Sequence, residues 1–110
     1  MVHEVHDVVL VLTTVPDDPS AEALARTLVE EQLAACVNVL PPMVSIYRWK
    51  GEVERGAERQ LVIKTTRGLA PALGKRLKEL HAYELPELMV LSVDGGSNDY
   101  LDWVAGSVRM

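Results

Sequence analysis

The sequence predicts an α+β fold with the element order β-α-β-β-α-β and a short helix at the C-terminal end. Two segments carry apolar residues at helical spacing, several runs are rich in β-branched and aliphatic residues, and Pro or Gly separates most of these segments. The length of 110 residues fits one compact domain, and the hydrophobic fraction of 48% supports a globular core. We therefore expect a single domain over residues 1–110, with residues 1–7 forming a frayed or edge terminus.

The first strand and the first helix are predicted from the segment before Cys36. Val8 to Val15 is a continuous apolar run, which is typical of a strand buried on both faces, and Pro16 ends it. From Pro19 to Ala35, apolar residues recur at i, i+3, i+4 and i+7, which indicates an amphipathic helix.

The next segment predicts a long β-hairpin. Cys36 to Leu40 alternates between apolar and polar residues, two prolines interrupt the pattern, and Met43 to Trp49 is strand-like again. We interpret this segment as one long bent strand, followed by a bulge at Gly51 and a turn at the "RGAE" of residues 55–58. Arg59 to Thr66 is then the return strand, and the tip of the hairpin projects beyond the core.

The rest of the chain predicts a helix, a strand and a final helix. Leucines from Leu69 to Leu80 lie on one stripe of a helix that begins near Gly68. The motif "HAYELPEL", residues 81–88, ends this helix, and the strand "ELMVLSV" follows Pro86. The turn "DGGSND" precedes "YLDWVAGSV", which we expect to form the last helix.

This element order matches the ferredoxin-like plait. Right-handed crossovers place both main helices on one face of an antiparallel sheet and leave the other face bare. Apolar residues on a bare face need a cover, which self-association can supply. The sequence therefore favours a homo-oligomer in which the long hairpin contacts neighbouring subunits.

Charge and composition limit the expected partners. The net charge is −5 and the 11 basic residues are scattered, so we expect no nucleic-acid partner. No apolar run reaches the roughly 20 residues needed to cross a membrane, and the N-terminus lacks the pattern of a signal peptide. The single cysteine, Cys36, allows no disulfide within the chain and favours a reducing compartment. We therefore expect a cytoplasmic protein with no membrane partner.

The stretches "LAACVNVLPPMVSIYRWKGEVE", "ERQLVIKTT", "LHAYELPELMVLSV" and "DYLDWV" follow one another along the chain. Together they resemble the CutA family, which is associated with divalent-cation tolerance, and the similarity extends from about Val8 to Val108. The resemblance implies a ferredoxin-like homotrimer, similar in shape to the PII signalling proteins, that binds Cu(II) and other divalent ions in copper tolerance. No enzymatic activity is established for the family, and the sequence contains no Ser-His-Asp signature or phosphate-binding loop.

His81, Glu84 and Glu87 are the main candidates for a metal site. An imidazole and carboxylates suit Cu(II) or Zn(II), and the three residues match the motif of the CutA family, in which a proline usually stands where this chain has Ala82. The alternative is that His81 caps the end of the helix and that Glu87 forms hydrogen bonds at a subunit contact. We expect low-affinity or transient binding of Cu(II) or another divalent cation, and no organic cofactor.

Cys36 is the one soft metal ligand in the sequence. Its thiolate favours Cu(I), whereas the alternative is a small buried side chain with no ligand. The predicted topology puts Cys36 where the second strand begins and His81 at the opposite end of the plait. We therefore expect that the two residues do not share a metal ion within one subunit.

Five further residues are candidates for subunit interfaces or an inter-subunit cleft. Lys64, within an apolar strand, either pairs with Glu58 or with a carboxylate of another subunit, or it contacts an anion in a cleft. Trp49, Tyr83 and Trp103 are expected to anchor interfaces. Two functions remain: a metal-binding homotrimer without catalysis, or a PII-like signalling or scaffold module that binds a small anion or a protein partner between subunits.

Overall fold

The structure, a computed structural model, describes residues 7–109. The predicted frayed terminus therefore lies outside the described residues, except for Asp7. The strands and helices are, in chain order, β1 (Val8–Pro16), α1 (Ser20–Glu30), β2 (Cys36–Val39), β3 (Met43–Trp49), β4 (Glu52–Thr66), α2 (Ala70–Leu80), β5 (Met89–Ser92) and α3 (Asn98–Gly106), with a 3₁₀ turn (Arg67–Leu69) before α2.

The strands form one antiparallel sheet in the order β2-β4-β1-β5, and β3 pairs with the outer part of β4. β1 is central, because Val11 lies opposite Ile63 of β4 on one side and Val90 of β5 on the other. β2 and β3 both pair with β4, as expected for a bent strand broken at Pro41 and Pro42. This is the arrangement of the ferredoxin-like plait, so the predicted α+β fold is confirmed.

One face of the sheet packs against α1 and α2 and forms the main core. Val9 and Val11 of β1 lie on it with Leu61 and Ile63 of β4, and all four side chains are fully buried. Leucines of the two helices complete this cluster: Leu24, Leu28, Leu73 and Leu77.

The opposite face of the sheet, called the second face below, is only partly covered. α3 covers one end, where Val104 packs against Val8 and Ala35. The prediction of a bare face is therefore correct for most of this surface but not for the end beneath α3. The apolar side chains that remain half-buried or exposed on the second face are Leu10, Leu12, Val62, Met89 and Leu91.

The hairpin turns earlier than the sequence predicts. Trp49 pairs with Glu52, and the two residues between them, Lys50 and Gly51, have positive φ angles of 51° and 83°. Two consecutive positive φ angles are typical of the two-residue turn whose twist matches that of paired strands. Gly51 therefore belongs to the turn and not to a bulge. The predicted turn at residues 55–58 is wrong, because β4 runs through it without a break.

α1 is shorter than the predicted helix, which extends to Ala35. Gln32 has a positive φ of 60°, and the backbone amide of Leu33 donates to Leu28 O. The amide of Ala35 already donates to Lys64 O of β4. The chain must leave the helix before this point because its backbone joins the sheet there.

Candidate functional site

The candidate site lies at the end of β1 that carries Thr13 and Thr14. β5 pairs with β1 only as far as Leu12. Just beyond this point, side chains donate to the backbone of β1: His81 Nε2 to Thr14 O at 2.8 Å, and Gln60 Nε2 to Thr13 O at 2.7 Å. Two side-chain donors thus satisfy carbonyl groups that lie past the end of the β5 ladder.

The two ring nitrogens of His81 have opposite roles. Thr14 O can only accept a hydrogen bond, so Nε2 carries the proton; the Tyr83 N–H can only donate, so Nδ1, at 3.1 Å, accepts. The ring is therefore held as the neutral Nε2–H tautomer. His81 also stands at the end of α2, with extended φ and ψ angles of −78° and 143°. Its ring binds β1 and Tyr83, and not the carbonyl groups of the helix end that the capping alternative required.

Glu87 takes part in a hydrogen bond with Gln60, whereas Glu84 is at the surface. Gln60 Nε2, which binds Thr13 O, also donates to Glu87 Oε2 at 3.0 Å. Thr13 Oγ1 lies 3.3 Å from His81 Nε2. His81 contacts Thr13 directly, Glu87 is connected to Thr13 only through Gln60, and the side chain of Glu84 is exposed.

Gln60 is a residue of this site that the sequence analysis missed. It occupies the same face of β4 as Val62 and Lys64, at alternate positions of the strand. A polar amide that is buried in such a strand needs a hydrogen-bond partner. The presence of Gln60 next to an apolar run was therefore the feature of the sequence that could have identified it. Its partners became evident only in the structure, where one amide nitrogen bridges β1 and the Glu87 carboxylate.

Tyr83 connects the site with the base of the hairpin. Its ring centroid lies 4.9 Å from that of His81. Partial burial raises the pKa of the Tyr83 phenol, and the hydrogen bond to the Glu58 carboxylate and the negative charge of that group raise it further. The phenol therefore stays protonated at neutral pH and donates to Glu58. Of the candidate interface residues, the structure brings Tyr83 and Glu58 together.

Cys36 lies far from His81 in the same subunit, as the topology predicts. Cys36 pairs with Lys64, and Lys64 pairs with Leu10 of β1. Thr14, the partner of His81, is four residues further along β1, which corresponds to about 13 Å of strand. The two candidate ligands therefore cannot bind one metal ion within a subunit. Cys36 itself is neither fully buried nor fully exposed.

The other interface candidates are spread along the molecule. Lys64 Nζ lies 5.7 Å from the centre of the Tyr100 ring in α3, and six residues of β4, about 20 Å, separate it from Glu58. A Lys64–Glu58 ion pair within one subunit is therefore excluded. Trp49 stands beside the turn of the hairpin, and the half-exposed Trp103 packs against Tyr100 with ring centroids 5.5 Å apart.

One subunit supplies suitable ligand types but too few of them for a complete metal site. Among residues 7–109, no three His, Cys, Asp or Glu side chains are arranged to hold a metal ion. His81 and Glu87 contribute an imidazole and a carboxylate, which are ligand types that Cu(II) and Zn(II) accept. A complete site at this position needs further donors from water or from another subunit.

Sequence comparison identifies the family. The profile of the family described as CutA1 divalent ion tolerance protein matches residues 9–107. The chain belongs to the CutA1 family. It is 48% identical over 95 residues to the divalent-cation tolerance protein CutA of Thermus thermophilus, a match that covers 86% of this chain and 92% of the relative. It is 47% identical over 103 residues to the protein of the same name from Pectobacterium atrosepticum, which covers 94% of each chain.

Solved CutA1 structures have the same fold. The crystal structure of CutA from Xylella fastidiosa matches with a TM-score of 0.90 and 47% sequence identity, over 94% of this chain and 99% of that chain. The names of the CutA1 relatives state divalent-cation tolerance and indicate no catalytic activity. Within residues 7–109, no helix is long and apolar enough to span a membrane.

Proposed function

We propose that this CutA1 protein is a homotrimer that binds copper or another divalent cation in the cytoplasm and catalyses no reaction. The observation that carries the proposal is that His81 contacts Thr13 and that Glu87 binds Gln60, which in turn binds Thr13 O, in a chain whose relatives are named for divalent-cation tolerance. The imidazole and the carboxylate both belong to the segment between α2 and β5.

The cation site uses His81 with Glu84 or Glu87, and it is completed by water or by donors of a neighbouring subunit. Because one subunit supplies few convergent ligands, binding is of low affinity or transient. Cys36 forms a separate, softer site that favours Cu(I). The two sites act independently within a subunit because of the distance between them.

Assembly into a trimer covers the second face. Met89 and Leu91 of this face are 50% and 40% exposed, and they belong to β5, an edge strand of the sheet. An apolar sheet face beside an open strand edge is stabilised when another copy of the chain packs on it.

The hairpin offers further contacts of complementary charge. Ile46 pairs with Arg55 and Arg48 pairs with Val53, so one surface of the hairpin is both apolar and basic. The basic surface of one subunit and the acidic surface of the next attract each other and select a defined orientation. The acidic and aromatic surface is formed by Tyr47, Trp49, Glu52 and Glu54.

Titration calorimetry of the metal-free protein with Cu(II) tests the function. We expect His81→Ala to lower the Cu(II) affinity by at least about tenfold, because it removes the imidazole ligand. Glu87→Gln is expected to lower it less, and Cys36→Ser is expected to leave it unchanged. The matched control is Glu79→Gln, which removes an exposed carboxylate of α2 outside the site.

The results test two things separately: whether these residues form the site, and whether the protein binds the cation at all. Cu(II) binding with the same affinity in His81→Ala and Cys36→Ser removes both residues from the site and leaves the function in place. The absence of Cu(II) binding in the unaltered protein contradicts the function itself. Sedimentation analysis of the same samples reports the oligomeric state.

The alternative function is a PII-like signalling or scaffold module. The contact between Tyr83 and Glu58 at the base of the hairpin favours it, because it places polar groups where a ligand held between subunits can bind. Lys64 of another subunit supplies the positive charge for an anion. A thermal-shift screen with nucleotides and carboxylate metabolites discriminates: stabilisation by an anion without copper supports this function, and stabilisation by copper alone contradicts it.

A further inference from the structure

A groove on the first face of the sheet, called the α2–β5 groove below, lies between α2 and the edge strand β5. Its volume is about 750 Å³, which is within the range of small-molecule sites. Val90 of β5 lies opposite the fully buried Val11 and therefore points towards the helices. It is nevertheless 46% exposed, because α2 does not extend over the edge of the sheet.

The floor of the groove is apolar. Ala70, Pro71 and Gly74 of α2 line it together with Leu88 and Val90. Positions 70, 71, 74, 75 and 78 are three or four residues apart, so they form one stripe of the helix, about 12 Å long. A Cβ at position 74 would lie 3.0 Å from Leu88 Cδ2, so the glycine lets the Leu88 side chain pack directly against the helix. The groove therefore offers an elongated apolar surface.

Two lysines stand side by side on the rim of this surface. Lys75 and Lys78 both line the groove and are both exposed, and their spacing of three residues places them on the same side of α2. Neither forms an ion pair with a carboxylate among residues 7–109. In a protein with a net charge of −5, two adjacent ammonium groups are thus left available for a negatively charged ligand.

The other two charged side chains of the lining are already paired. Arg67 Nε binds the Asp7 carboxylate at 3.0 Å, and Glu79 Oε1 accepts a hydrogen bond from Arg76 Nη1 at 3.3 Å. The charge that remains beside the apolar floor is therefore positive. An apolar floor with a positive rim is complementary to a ligand that has an apolar chain and a negatively charged end.

We propose that the α2–β5 groove binds an aliphatic carboxylate, whose hydrocarbon chain lies between α2 and β5 and whose carboxylate contacts Lys75 and Lys78. Binding removes Val90 and the floor of the groove from water, which stabilises the complex. The groove lies on the opposite side of the sheet from the second face, and its lining includes neither His81 nor Cys36. The inference therefore goes beyond the proposed function and does not depend on it.

Titration calorimetry of the full chain with decanoate, below the concentration at which decanoate forms micelles, tests the proposal. We expect saturable binding. Butyrate has the same carboxylate on a shorter chain, and we expect it to bind at least about tenfold more weakly because it buries less apolar surface. Decyltrimethylammonium keeps the long chain but carries a positive charge, so the two lysines are expected to exclude it from the groove.

NMR of the same protein locates the bound decanoate. We expect the amide signals of residues 67–79 and 88–90 to shift with decanoate, because these residues surround the groove. The amide signals of the hairpin, residues 43–56, are expected to stay unchanged. Decyltrimethylammonium is expected to leave the signals of the groove unchanged as well.

Two variants test the rim and the floor. Replacing both Lys75 and Lys78 by Gln is expected to lower the decanoate affinity roughly tenfold, because each exposed ion pair contributes about threefold. Val90→Glu is expected to lower it at least about tenfold, because it puts a negative charge beside the chain and the carboxylate of the ligand. The matched control for the lysines replaces Arg26 and Lys50 by Gln, which removes two exposed positive charges outside the groove.

Each outcome decides the proposal. Weaker decanoate binding in the lysine and Val90 variants, with unchanged binding in the Arg26 and Lys50 control, supports the site. Equal affinity in the unaltered protein and in the lysine and Val90 variants overturns it, as do amide shifts confined to the hairpin or to α3. The absence of saturable decanoate binding also overturns it. Cu(II) binding is not used in any of these measurements, so the proposed function stands or fails separately.

Discussion

The two faces of the sheet arise from the same strands but are covered to different extents. On the face beneath α1 and α2, Val11 and Ile63 are fully buried. On the second face, Met89 and Leu91 stay about half exposed, although they lie beside the same central strand. The helices of the chain cover the first face except at β5, where Val90 is 46% exposed, whereas most of the second face is left without such a cover.

The number of covering helices explains this difference, because α1 and α2, of 11 residues each, pack on the first face and α3, of 9 residues, packs on the second. β1 has 9 residues, which span about 30 Å in extended form. α3 also has 9 residues, but as a helix it spans only about 14 Å. It therefore covers one end of the second face and leaves the rest for a partner. Four predictions test this comparison, from the largest expected effect to the smallest.

The helix-covered face is expected to lose the most stability from a single truncation. Leu77→Ala leaves a cavity among fully buried side chains, so we expect the free energy of unfolding to fall by about 3 kcal/mol. Urea denaturation at fixed protein concentration measures it. The control is Lys78→Ala on the exposed side of α2, with an expected change below about 0.5 kcal/mol. Equal effects of the two variants would show that this face is not the core.

A charge on the second face is expected to weaken assembly rather than folding. Leu91→Glu buries an unpaired carboxylate when copies associate, so the association constant is expected to fall at least about a hundredfold, or about 2.7 kcal/mol. Light scattering with size-exclusion chromatography measures the mass. Val29→Glu is the matched control, because Val29 on α1 is 39% exposed and lies away from the second face. A trimer that persists in Leu91→Glu contradicts the assembly that we propose.

Removal of a buried hydroxyl beneath the helices is expected to lower the stability more than removal of an exposed one. Thr65 Oγ1 donates to Leu33 O at 2.7 Å inside the core, and Thr65→Val leaves that carbonyl without its donor, which costs about 1–2 kcal/mol. The control is Thr27→Val, whose hydroxyl donates to Ala23 O at the surface, where water replaces it. Similar losses in the two variants would mean that burial does not determine the cost. Thermal unfolding by calorimetry distinguishes them.

The smallest loss of stability is expected for substitutions in the hairpin, which projects beyond the body of the sheet. Gly51→Ala places a side chain at a φ of 83°, which costs about 1 kcal/mol. Gly56→Ala is expected to change stability by less than about 0.5 kcal/mol, because its Cβ would lie 3.6 Å from the Tyr47 hydroxyl, an ordinary contact. A larger loss of stability in Gly56→Ala than in Gly51→Ala would indicate that the turn lies at residues 55–58. Chemical denaturation measures both variants.

Much of the fold was predictable because it depends on short-range patterns. The leucine stripe of α2 correctly predicted which residues of that helix share a face, whereas β1, predicted to be buried on both faces, is fully buried on one face and only half-buried on most of the other. The turn was misplaced because Lys50 is not a typical residue for a positive φ, and only the pairing of Trp49 with Glu52 revealed it. The helix end was misplaced because the periodicity of α1 continues to residues whose backbone belongs to the sheet.

The sequence singled out His81, Glu84 and Glu87 as candidates, but it did not predict their contacts. The motif of residues 81–88 predicted a histidine near carboxylates, and the topology correctly separated Cys36 from His81. The bridge made by Gln60 joins residues 13, 60 and 87, and no local pattern records such a distant contact. The tautomer of His81 is likewise set by Thr14 and Tyr83 and not by the sequence around the ring.

The sequence by itself determined the element order, the core face of the two main helices and the membership in the CutA1 family. These properties follow from periodicity and from residue types that can be compared one by one. Only the tertiary structure decided where the hairpin turns, that α3 covers one end of the second face, and that both nitrogens of His81 are already hydrogen-bonded. Each of these depends on contacts between residues far apart in the chain, and such contacts exist only once the sheet has formed.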